Sequence, residues 1–136
     1  MKKNLAGIFL FMKFLLALLM VGAGIFHFVN PKLYVPFVPQ FLPFTVFIIY
    51  ASGVVEILLG LMLLSKKYAI TGAWGIFLLM LIFLPIHVAD VFSDAPAIGS
   101  HQMAVIRLVL QVVILLWVWV VKYGIKRRLS IPSGTT

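Results

Sequence analysis

Apolar side chains occupy this chain in long runs, and polar residues gather in the short stretches between them. The runs extend over Leu5 to Val29, Phe44 to Leu64, Ala69 to roughly Ala89, and Ala104 to Val121. Each matches the ~17–25 residues with which a helix crosses a bilayer. The separators are rich in turn formers: Asn30-Pro31 with Pro36, Pro39 and Pro43, then Ser65-Lys66-Lys67, then Asp90 to Gln102 with Pro96 and Gly99. The pattern predicts an all-α protein, a four-transmembrane-helix bundle over residues 1–128, followed by a short tail over 129–136 that is expected to be disordered.

Between the first two spans, Leu33, Tyr34, Phe37, Val38 and Phe41 keep a helical spacing that Pro36 and Pro39 interrupt. Asn30 is placed to cap this segment and Pro31 to open its first turn. The expectation is either a short, broken, interfacial segment across the mouth of the bundle or merely an apolar loop. The first run resembles a signal peptide in its Lys2-Lys3 start and in Val21-Gly22-Ala23, which would suit a signal peptidase, but it continues for some 25 residues and contains Lys13. A signal-peptide core is normally about 7–15 residues long, so a retained span is expected, with Lys13 snorkelling to the near interface.

Composition agrees: 64% of residues are hydrophobic and 10% charged, against about 45–50% and 25% in soluble domains. The formal net charge of +8 does not indicate nucleic acid, since no basic stripe with interleaved aromatics and no zinc-finger spacing accompanies it. It indicates orientation instead. Lys2, Lys3, Lys66, Lys67, Lys122, Lys126, Arg127 and Arg128 fall on one side of the spans, and Lys32, Asp90 and Asp94 on the other. The positive-inside rule makes the basic side cytoplasmic, with both termini there and the protein in the cytoplasmic (inner) membrane. Trp117, Trp119, Tyr123 and Tyr68 mark that interface as an aromatic belt. Cysteine is absent, which excludes disulfides, thiolate metal sites and dithiol relays.

The informative residues are the polar ones inside the spans, each of which needs a partner, a wet cavity or a route to the interface. Glu56 lies about twelve residues into the second span, roughly 18 Å deep at 1.5 Å per residue, near the midplane. Ser52, Gly53 and Gly60 share its face, so another helix can approach there. Glu56 is therefore expected to turn inward, either protonated or held by a donor from a facing helix. Arg107 enters near the outer end of the fourth span and Gln111 follows one turn deeper. His27 and His87 lie near the level of Arg107, with Asp90 three residues beyond His87 and placed to orient it. All four helices thus bring polar groups to the outer half, which implies one shared cavity. Gly22, Ala23 and Gly24 below His27 leave room either for a ligand or for close helix contact. No Glu-x-x-His pair, Gly-x-Ser-x-Gly elbow or Gly-x-x-x-x-Gly-Lys loop occurs, so no metal site, serine hydrolase or phosphate cradle is expected.

The runs Gly24-Ile25-Phe26-His27-Phe28, Pro31-x-x-Tyr34, Pro39-x-x-Leu42-Pro43 and Ser52-Gly53-Val54-Val55-Glu56-Ile57-Leu58-Leu59-Gly60 resemble the DoxX-like family of small four-helix membrane proteins. The resemblance implies a four-span bundle and adds Tyr34 to the candidate site. It also implies quinone-linked sulfur oxidation, or detoxification of thiol or quinone stress, in complexes with partner enzymes. The expected function is binding of a lipophilic small molecule such as a quinone, with His27, Tyr34, Glu56, His87, Asp90, Arg107 and Gln111 as ligand-binding residues. No cofactor is expected to be covalently bound. A redox partner protein would supply the missing electron carrier, and the chain would at most be a membrane subunit of a quinone-linked oxidoreductase. The alternatives are a membrane scaffold whose polar core only fixes helix packing, and, ranked last, a proton or solute path through Glu56 and the histidines.

Overall fold

A computed structural model describes the backbone of residues 2–129 and the side chains of 6–126. Its long helices are α1 (Lys2–Val29), α2 (Thr45–Leu64), α3 (Ala69–Val91) and α4 (His101–Leu129). All four contain segments long and apolar enough to cross a membrane; α2, with 20 residues, spans about 30 Å at 1.5 Å per residue. The chain is an all-helical four-span bundle and an integral membrane protein.

Several boundaries move outward from the sequence expectation. α3 runs on to Val91 with Pro85 inside it. α4 begins at His101 and ends at Leu129, because hydropathy marks where side chains enter lipid, whereas helical hydrogen bonding continues through the polar flanks. Leu129 is therefore helical, and the rest of the tail, 130–136, lies outside the described residues, as do the side chains of Lys2, Lys3, Arg127 and Arg128.

The segment between α1 and α2 forms two 3-10 turns, Pro31–Leu33 and Val35–Phe37. Pro31 occupies the first turn as expected, but Asn30 makes no side-chain cap. The α1 end is instead closed by the Asn30 backbone N–H donating to the Phe26 carbonyl at 2.9 Å. This strap turns into α2 at Phe44, which adopts left-handed backbone angles (φ 60°).

α1 packs along α2, α3 along α4, and α2 joins the two hairpins, while α1 touches α4 much less. The α1–α2 crossing needs glycine. A Cβ on Gly24 would lie 2.5 Å from the Gly53 carbonyl oxygen, and one on Gly53 would lie 2.8 Å from the Gly24 oxygen and 2.8 Å from His27 Cβ. Gly24 beside His27 therefore serves helix contact, and Gly22 faces open space.

An apolar cluster joins all four helices in the half nearer the termini, with Leu16 and Met20 of α1, Leu63 of α2, Ala73 and Ile76 of α3, and Val118 and Val121 of α4. Large apolar side chains also cover the outside, among them Phe14, Phe47, Leu58, Ile82 and Leu116, each more than half exposed. An apolar exterior of this extent is what hydrocarbon, not water, solvates.

Candidate functional site

The site forms at the strap end, where the apolar cluster stops. His27 is brought there by the last turn of α1 and by the close approach at Gly53. Its Nδ1 is 2.9 Å from the Ala23 carbonyl oxygen. A carbonyl only accepts, so Nδ1 carries the proton in this bond. Glu56 is buried, as expected, but its Oε2 is 3.6 Å from the same nitrogen, beyond hydrogen-bond length, and that oxygen has no hydrogen-bond partner. The facing-helix donor that would hold Glu56 is thus spent on backbone.

Tyr34 of the strap stacks on the His27 ring, with centroids 3.7 Å apart and planes 21° from parallel. Burial raises the pKa of this phenol above 10.0, with Glu56 pushing the same way and Arg107 opposing.

Across the bundle, an Arg107 terminal nitrogen lies 2.9 Å from His87 Nε2. Guanidinium has only donors, so Nε2 accepts and His87 is a neutral imidazole protonated at Nδ1. Phe37 of the strap lies over the guanidinium, 3.6 Å from its carbon, a cation–π contact. Asp90 approaches the other Arg107 terminal nitrogen at 3.7 Å. The expectation that Asp90 orients His87 is corrected. Asp90 accepts from the Ala97 backbone N–H and so fixes the loop after α3, while Arg107 holds His87.

Between these walls a cavity of about 220 Å³ is lined by His27, Tyr34, His87 and Arg107, with Phe37, Pro39, Leu42 and Ser52 among its other walls. Four of the seven candidate residues therefore share it. Glu56 stands behind His27. Asp90 borders a neighbouring open groove between the strap and the end of α3. Gln111 is one turn too deep and is buried, donating to the Met80 carbonyl at 2.7 Å, because α3 and α4 pack closely enough there for a side chain to reach backbone. Phe37 was missed as a site residue. Its signal was present in the three-residue spacing from Tyr34, which puts both rings on one side of the strap.

Residues 16–122 match a family described as a domain of unknown function, DUF8561. The chain belongs to that family. The DUF8561 match runs from Leu16 to Lys122 and so contains every residue of the cavity and the strap. No curated protein and no solved structure matches the chain.

Proposed function

We propose that this DUF8561 protein holds a neutral, carbonyl-bearing lipophile, of which a quinone is the type, in the cavity beneath the strap. It would act in support of a redox or detoxification partner protein, as the DoxX-like resemblance of its sequence motifs implies. The observation that carries the reading is that Arg107 and His27 border one cavity from opposite sides of the bundle. The other walls are largely apolar, the composition of a small-molecule site in which a few polar groups set orientation. In a protein with lipid-facing outer walls, a hydrophobic ligand reaches such a site from the bilayer. On the positive-inside rule, the termini would lie in the cytoplasm and the strap outside, in the cytoplasmic membrane.

Scaffolding is the second reading. It is favoured by Gln111, whose buried amide is spent on tying α4 to α3.

Binding of decylbenzoquinone to the full chain in nanodiscs separates the two. Arg107→Ala is expected to weaken it by about 10-fold, near the ~0.5–1.5 kcal/mol of one hydrogen bond, and His27→Ala by less, since the His27 ring gives a quinone a wall but no donor, each without unfolding the bundle. No binding by the parent protein, or unchanged binding in both variants, leaves the scaffold.

A further inference from the structure

The two walls of the cavity offer opposite hydrogen-bonding character. On the α1–α2 wall, His27 has committed its Nδ1–H to the Ala23 carbonyl, which leaves Nε2 as an acceptor in the neutral ring. Ser52, also a wall residue, donates its hydroxyl to the Ile49 carbonyl at 2.9 Å, so only its lone pairs remain for a ligand. On the α3–α4 wall, Arg107 has N–H groups beyond the one given to His87. The Nδ1–H of His87 is buried without an acceptor, as is one terminal nitrogen of Arg107.

We propose that the cavity is polarised, accepting on the α1–α2 wall and donating on the α3–α4 wall. Its ligand class is then a single aromatic ring with a hydroxyl at one end and a carbonyl-type acceptor at the other. This deepens, and rests on, the quinone-type reading above. The Tyr34 hydroxyl, able to donate or accept, also lines the cavity but belongs to the strap and to neither wall. Against the two walls, a quinone has two acceptors and satisfies only the Arg107 side. A phenol or hydroquinone satisfies both. The reduced form of a quinone couple is therefore held more tightly than the oxidised form. Size agrees: about 220 Å³ is below the ~300–1,000 Å³ of drug-sized pockets and suits one ring with its tail left in lipid.

Redox-inert probes test this without interference from air oxidation. The full chain in nanodiscs is titrated calorimetrically with decyl 4-hydroxyphenyl ketone and with its 4-methoxy ether, alongside decylbenzoquinone. The hydroxy ketone is expected to bind about 10-fold tighter than the ether, since the ether leaves the His27 acceptor unpaired. His27→Phe preserves the ring for stacking on Tyr34 and should cut that ratio to below about 3-fold; Ser52→Ala, a milder change, should lower it partway. Arg107→Gln should weaken both ketones alike. Equal affinity of the two ketones for the parent protein, or a ratio untouched by both wall substitutions, overturns the polarised cavity while persistent quinone binding keeps the broader reading. Binding of none of the three probes removes both.

Discussion

Single glycines decide whether α1 can lie against α2. Gly24→Ala would drive a methyl group into the Gly53 carbonyl and the Ile57 backbone nitrogen, neither of which can swing aside. It is expected to cost about 1–3 kcal/mol, the usual penalty of overpacking. Gly22→Ala meets nothing within 4 Å and should be neutral or stabilising by up to about 1 kcal/mol, because alanine is the better helix former. Unfolding in mixed micelles compares the two, and equal effects would contradict the crossing. Tyr34 supplies a second test. Its phenol pKa is raised above 10.0 in the fold, so it stabilises the fold up to that pH and loses the contribution as pH climbs through the raised value. Subtracting the 295 nm titration of Tyr34→Phe from that of the parent should give a midpoint above 10.0. Residue identities were legible where cost forced a location: Glu56, Gln111 and His87 are all buried, as ionisable or amide groups in lipid must be. Their partners were not legible, because i+3 spacing makes Asp90 a neighbour of His87 but cannot weigh that contact against a loop N–H seven residues on.

At the scale of elements, the strap is the part that does most for the site. Its two 3-10 turns put the rings of Tyr34 and Phe37 onto His27 and Arg107, so one short segment orients a residue from each hairpin. Phe37→Leu keeps apolar volume but removes the π face over Arg107. It is expected to cost about 0.5–2 kcal/mol, and the loss should vanish when Arg107 is already Ala. A double-mutant cycle on thermal unfolding measures this coupling, and additive effects would contradict the stacking. The strap was predictable in existence and position from the prolines and the apolar spacing. That Tyr34 and Phe37 share a side was legible in their spacing; that this side faces the cavity was not, since the turns set that direction. Helix spans were legible to within a few residues on the lipid side. Their true ends were hidden because backbone hydrogen bonds extend past the hydrophobic stretch, as α4 does at both ends.

The whole molecule inherits its topology from an even number of crossings, so Ser93 and Lys67, at the loops following α3 and α2, belong on opposite faces. Ser93→Cys should react with an impermeant maleimide from outside intact cells, and Lys67→Cys only after permeabilisation, with no native thiol to interfere. The reverse pattern would invert the orientation that the basic flanks propose. The apolar cluster that gathers all four helices in the half nearer the termini has a consequence for motion. Opening that half breaks packing shared by every helix, whereas opening the strap end breaks the pairwise α1–α2 glycine contact, a few polar contacts and ring stacks. Local opening free energies should therefore form a gradient along the bundle axis. In deuterium exchange, amides near Ala73 and Val118 should stay protected for longer than those near Ile86 and Ala104. The protein would breathe at one end only, a stiff stem carrying a compliant mouth, and the residues around the cavity would adjust while the stem holds its registry in the membrane.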